Sequence, residues 1–286
     1  MEFKQHNYSK SFLKRNMPGL VADIADDDDA QVIFFSAEEE GKSIGYIMYY
    51  YNLADGKTVR LLDTSVSPLH RRKGVMEKLI DFSENRLCEM GTHAIRIQSI
   101  VPYERAEVLF KIFTKQEFIP ILLSGRYLVY RYKDLLASDT LTVLGKNRGK
   151  IVKCRTFSRE NEMDIMDFVK EEYSKGLLLT KGQIRSKYTI YSGKEDIEAV
   201  LPVTVMNNMA IVYPFHGAKE GMSGKMFLPM FEESIHRIVE DYGDNIQIGI
   251  ILTDNEIYEG LEKVFNPPDE DYLYQSYLKV IEEEDE

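Results

Sequence analysis

Between Val59 and Met90 the chain changes hydrophobic period with only a short loop in between. VRLLDTSV, residues 59–66, has the β-branched and apolar content of a strand. Met76, Leu79, Ile80, Ser83, Leu87 and Met90 then fall on one side of a helix at about 100° per residue, and Gly91 offers a stop. The connection SPLHRRKG begins with Pro68, which blocks further ladder pairing, and ends with Gly74, where the backbone can turn with no Cβ in the way. A sheet joined so abruptly to an amphipathic helix excludes all-α and all-β architectures. The expected class is α+β (mixed α/β).

The same loop carries Arg71, Arg72 and Lys73 in a chain of formal net charge −11. Cations at a helix start oppose the helix dipole, so they are a poor stability device there. A bound polyanion removes the conflict. The free N–H groups of the first helical turn would cradle it, and a pyrophosphate fits this arrangement better than one carboxylate.

Around this junction the chain reads as a series. QVIFFSA and IGYIMYYYN flank the turn EEEGKS as a hairpin, followed by the strand 59–66, the helix 75–90 and the strand HAIRIQSIV. YERAEVLFKIF is a helix, and IPILLSGRYLVYRY is one long or two short strands. Residues 9–29 allow one or two short helices broken at Pro18-Gly19. The text loosens over residues 134–150, which places a boundary between one domain at 1–140 and a second at 150–286. The second half repeats much of the series, with two β-rich runs across Asn207-Asn208 and then helix, strand, helix, strand. At an offset of about 151 to 152 residues Gly91 falls on Gly243, Ile97 on Ile248, Glu104 on Glu256 and Phe113 on Phe265, which suggests a tandem duplication.

Val66-x-Pro68-x-x-Arg71-x-x-Gly74 resembles the acetyl-CoA signature of the GCN5-related N-acetyltransferases (GNAT), and the series over residues 31–132 resembles that family's fold. The resemblance implies two GNAT-like domains, each a mostly antiparallel twisted sheet flanked by helices, the second a degenerate copy. It implies that backbone N–H groups from Arg72 through Lys73, Gly74, Val75 and Met76 hold the pyrophosphate beside the Arg71 side chain. Pantetheine would run along Val66 and Ser67, with Phe110 packing beside the thioester. The implied cosubstrate is acetyl-CoA, and the implied activity is direct acetyl transfer to a primary amine of a small molecule or peptide. The alternative is a non-catalytic acyl-CoA-binding sensor or interaction protein.

Asp63, three residues before Val66, is the candidate general base, acting through water. The other reading of that carboxylate is a pair with a neighbour or an attraction for a cationic substrate. Two departures from the family pattern stand out. The sixth signature position, normally small, is Met76, whose side chain either crowds the phosphates or turns away along the helix. Phe110 stands where relatives carry a tyrosine and has no proton to give, which leaves Tyr103 as the phenol for the departing thiolate, or else water. In the second half FHGAKEGMSGKMFL recovers no signature, whether Gly221 or Gly224 is aligned with Gly74.

Composition bounds the partners. Acid excess disfavours nucleic acid and mildly favours a cationic amine. No apolar run is long enough to span a bilayer, and no signal-peptide pattern opens the chain. Cys88 and Cys154 lack metal-ligand spacing and read as reduced thiols of a cytoplasmic protein. A homodimer is one assembly compatible with these features.

Overall fold

The computed structural model describes residues 1–8, 30–52, 57–136, 154–173, 181–193, 196–206, 208–217 and 223–281. The expected boundary at 134–150 lies mostly outside them, as do the short helices expected in 9–29 and residues 218–222 of the second half's glycine-rich loop. The chain forms two compact units. The first comprises Met1–Ser99, Glu107–Ile121 and Gln275–Glu286, and the second Ile100–Ala106 and Leu122–Tyr274.

In the first unit, β1 (Glu2–Asn7), β2 (Ala30–Glu39), β3 (Lys42–Asn52) and β4 (Thr58–Val66) run antiparallel in sequence order. The β2–β3 turn places Glu40 at φ 52° and Gly41 at φ 74°. After β4 comes α1 (Val75–Glu89), and β5 (Ala94–Val101) then pairs parallel to β4. Helix α2 (Tyr103–Lys115) follows. The long strand β6 (Ile119–Arg131) settles the one-or-two-strand question in favour of one.

Helix α1 buries Val75, Leu79, Ile80, Ser83 and Leu87, the face its periodicity marks. These pack with Ile47, Tyr49 and Tyr51 from one face of β3. At about 1.5–3 kcal/mol per fully buried aliphatic side chain, the four aliphatics contribute roughly 6–12 kcal/mol. Ser83 is tolerated because its Oγ reaches the Ile80 carbonyl at 2.8 Å and the Tyr49 Oη at 2.9 Å. The C-terminal part of the chain's last strand completes this core, where Tyr277 is fully buried with its ring centre 4.9 Å from that of Phe113.

The second unit opens with the short helix α3 (Tyr132–Leu136), β7 (Cys154–Thr156), α4 (Glu162–Tyr173) and α5 (Lys181–Ile184). Strands β8 (Ile190–Ser192), β9 (Ala199–Leu201), β10 (Val203–Met206), β11 (Met209–Val212) and β12 (His216–Gly217) come next. Helix α6 (Ser223–Tyr242), β13 (Gln247–Leu252), α7 (Asn255–Val264) and β14 (Glu270–Val280) end it. Strands β10 and β11 pair antiparallel, β11 and β13 parallel, and β13 and β6 antiparallel. A small separate sheet has the order β12-β9-β8-β7. The β10–β11 hairpin is the one expected across Asn207-Asn208, with Asn208 at φ 64°. The mixed α/β class expected from the sequence, with mostly antiparallel sheets flanked by helices, is the observed one.

Candidate active site

Strands β4 and β5 start side by side and then part. Their register runs from Thr58↔Ala94 to Leu61↔Ile97 and stops, although β4 continues to Val66 and β5 to Val101. The departure coincides with a bulge. Met48 on β3 faces Asp63 and Tyr49 faces Leu61, so Leu62 is the extra residue that bends β4. The β5-facing backbone groups of β4 beyond Leu61 are therefore free of that ladder and line an opening.

The opening leads to the basic loop. Ser67 closes β4 by donating its N–H to the Ile44 carbonyl at 2.9 Å, and Pro68–His70 form one 3-10 turn. Gly45, opposite Val66, allows this close approach: a Cβ there would meet the Ser65 carbonyl oxygen at 3.2 Å and Val75 Cγ1 at 3.3 Å. Arg71 donates from Nε to the Val66 carbonyl at 3.1 Å, which fastens the loop to the strand end. Arg72 sits at φ 62° and Gly74 at φ 71°. A left-handed non-glycine residue costs roughly 1–2 kcal/mol, so the loop's shape is held against a local penalty at Arg72.

Helix α1 begins directly after Gly74, and its first backbone bond is Lys78 N–H to the Gly74 carbonyl at 3.2 Å. The N–H groups of Val75, Met76 and Glu77 precede that bond and have no intrahelical acceptor. Arg71, Arg72 and Lys73 are exposed, and among the described residues none of them has a carboxylate partner. Glu77, the acid of the first turn, is instead paired to Lys115 on α2 at 2.7 Å. The loop thus presents unpaired cations and helix-end N–H groups together. Met76 turns away, packing against the core with its Sδ 3.1 Å from Thr64 Oγ1. Of its two expected orientations, this is the one that leaves the loop uncrowded. Phe110 packs against the same core.

Asp63 is not alone. Tyr46 lies across the hairpin as its diagonal neighbour on the same face, and its phenol donates to Asp63 Oδ2 at 2.5 Å. The Thr64 N–H donates to Oδ1 at 2.8 Å. Burial first, and then the bond to this carboxylate, push the Tyr46 phenol up to about 12, so the shared proton stays on Tyr46. Its ring stacks on Phe34 with centres 5.4 Å apart. The sequence analysis placed Tyr46 in a hairpin strand and did not single it out for the site. The register set at the turn, Tyr51↔Val59, would put positions 46 and 63 on opposite faces, and only the bulge at Leu62 brings them onto one.

Tyr103, the expected proton donor, belongs to the second unit by its contacts, and its O–H reaches Asp271 Oδ1 at 3.2 Å. Burial, then the Asp271 charge, raise its pKa above the ordinary phenol value. No cluster of three or more His, Cys, Asp or Glu side chains among the described residues could hold a metal ion. Nor is any described helix long and apolar enough to cross a membrane.

The strand pair thus parts beside a bulge and opens toward a helix start ringed by cations. Residues 2–113 match the Acetyltransferase (GNAT) family. This part of the chain is similar to a GNAT domain. The likeness in fold extends over nearly all of it. A tandem GNAT protein from the clavulanic acid biosynthesis pathway superposes with a TM-score of 0.60 at 12% identity, covering 99% of this chain and 100% of that one. A GCN5-related N-acetyltransferase from Sphaerobacter thermophilus gives 0.55 at 10% identity, over 98% of this chain and 96% of that one. The Saccharomyces cerevisiae N-myristoyltransferase with bound myristoyl-CoA gives 0.53 at 11% identity, over 97% and 79%. A comparison with the curated proteins finds no sequence match. The GNAT fold is one of acyl-CoA-dependent N-acyltransferases, and it is repeated along this chain.

Proposed function

We propose that the chain is an acetyl-CoA-dependent N-acetyltransferase acting on a primary amine of a small molecule or peptide. The observation that carries this reading is the parting of β4 from β5 after Leu61 and Ile97, next to the loop Arg71–Gly74. The unpaired edge of β4 through Val66 and Ser67 suits the amide groups of pantetheine. N–H groups from Arg72 to Met76, with the three cations, suit the diphosphate.

In the reaction the amine nitrogen bonds to the thioester carbonyl carbon and the C–S bond breaks. Asp63 takes the amine's proton through water, and the Tyr46 and Thr64 bonds fix the carboxylate's orientation while leaving lone pairs for that water. The thiolate takes a proton from water. Acetyl rather than a longer acyl group rests on the family name alone. The acid excess would draw a cationic acceptor.

Phe110, packed in the core and without a hydroxyl, favours a second reading in which the same cleft binds acyl-CoA without turnover. One pair of measurements separates the two. Acetyl-CoA at a hundred times its Kd should raise the melting temperature by roughly 5–10 °C, and Arg71→Glu should abolish the rise. Thiol release with a panel of polyamines, aminoglycosides, amino acids and peptides then marks the enzyme. Absence of any thermal shift removes both readings, and a shift without turnover on any acceptor leaves the sensor.

A further inference from the structure

The second unit holds a cluster for which the coenzyme reading has no use. Arg126, on β6, donates from Nε to Asp271 Oδ1 at 2.9 Å and from Nη2 to Asp271 Oδ2. Its guanidinium carbon lies 4.6 Å from the ring centre of Tyr258 and 5.7 Å from that of Tyr103. Tyr103 also donates to Asp271. A planar cation fixed along one edge by a carboxylate and stacked against two rings keeps little rotamer freedom, so a ligand meeting it has little ordering left to impose. Its stability value is modest: at 28% and 29% side-chain exposure the Arg126–Asp271 pair is worth at most about 1 kcal/mol.

The third nitrogen is the informative one. Nη1 makes no hydrogen bond among the described residues, and it is not one of the polar atoms sealed from solvent. Two N–H donors of a preoriented guanidinium therefore face solvent. We propose that Arg126 is a recognition point for a carboxylate group on an amine-bearing ligand, such as an amino acid or a peptide C-terminus. The surroundings choose this chemistry. Asp271 shares the cluster, Glu262 accepts from the Tyr258 phenol, and Glu270 accepts from Tyr272, whose phenol also feels Glu104. So many carboxylates repel a phosphate or other polyanion. They suit a ligand that carries an ammonium beside a single carboxylate. This recognition does not rest on the transferase reading.

The test is calorimetric titration of the full chain, without acetyl-CoA, using two pairs of probes: L-lysine with cadaverine, and L-arginine with agmatine. The carboxylated member of each pair should bind at least tenfold more tightly. Arg126→Gln should bring the two members within twofold of one another and leave the affinity for cadaverine and agmatine unchanged. If that variant does not fold, Arg126→Lys, which keeps the cation but not the second pair of donors, should cut the gap at least threefold. Equal affinity within each pair, no binding of any probe, or a gap that survives in a folded variant overturns the proposal. A separate acetyl-CoA titration keeps the two readings apart: its failure counts against the coenzyme site and leaves the lysine–cadaverine result standing.

Discussion

Strand β4, helix α1 and strand β5 in the first unit have a counterpart in β11, α6 and β13 of the second. In each, two parallel strands are joined through a helix, and the registers run from Thr58↔Ala94 to Leu61↔Ile97 and from Met209↔Gln247 to Val212↔Ile250. Both helices stop at a glycine of φ 79°, Gly91 and Gly243. Phe113 and Phe265, an aligned pair, are equally buried. What differs is the strand that leads to the helix. Strand β4 outruns its last pair with β5 by five residues and opens a cleft, whereas β11 ends at its last pair. Beyond β11 the chain enters β12, which is claimed by the small sheet through His216↔Val200. Helix α1 starts behind exposed cations, while Gly224 and Lys225 of the second half's glycine-rich stretch already lie within α6. The frame of a repeated fold is thus kept by its turns and core, and the opening depends on a few residues that nothing in the core protects.

The largest effect that would break this contrast concerns coenzyme stoichiometry. Calorimetry should find one acetyl-CoA per chain, and replacing Arg71, Arg72 and Lys73 together by alanine should weaken it roughly 1,000-fold, at about 1.5 kcal/mol for each charge-assisted contact. Two sites per chain, or a residual site untouched by the triple replacement, would mean that the second half has kept a working cleft. Next in size, Asp63→Asn should lower kcat by about 100-fold near neutral pH, as loss of a general base does, with the Km for acetyl-CoA little changed. An unchanged kcat removes the base role and leaves Asp63 as a structural partner of Tyr46.

Tyr46→Phe should cost about tenfold in kcat, because it removes one hydrogen bond to the carboxylate and keeps the stacked ring. The smallest effect is on alkaline stability. The Tyr46 phenol is raised from 10.0 to about 12, so the stability linked to it is complete below pH 10 and falls as the pH climbs through 12. Tyr127, in the second unit, is also raised to about 12, by burial first. Between pH 10 and 12 the melting temperature of Tyr46→Phe should therefore fall less steeply than that of the unmodified chain, and a matching Tyr127→Phe effect would mark this as common to both units. Parallel curves for Tyr46→Phe and the unmodified chain would refute the assignment.

Local periodicity carried the elements well. The α1 face, the helix stops at Gly91 and Gly243, and the strand–loop–helix junction were all visible because each depends on neighbours within a few residues. Strand β1 was not, since EFKQHN alternates too weakly to stand out and its apolar face is set by pairing with β2. Within the site, the loop was legible and the carboxylate's environment was not. The Tyr46–Asp63 bond depends on a hairpin register with a bulge at Leu62, and Tyr103 meets Asp271 across 168 positions of sequence. Such contacts follow from register and topology, to which a periodic pattern is blind. The parting of β4 from β5 is of the same kind: both strands were expected, but not the point at which they separate.

The burial of Tyr277 in the core beside Phe113 has a consequence for biosynthesis. The first unit is completed late in synthesis, because its segment Gln275–Val280 emerges roughly 160 residues after α2. At about 5–20 residues per second, a ribosome needs roughly ten to thirty seconds to cover that stretch. Through that interval the first unit's core lacks Tyr277, and the face of Phe113 that this ring covers stays open to water.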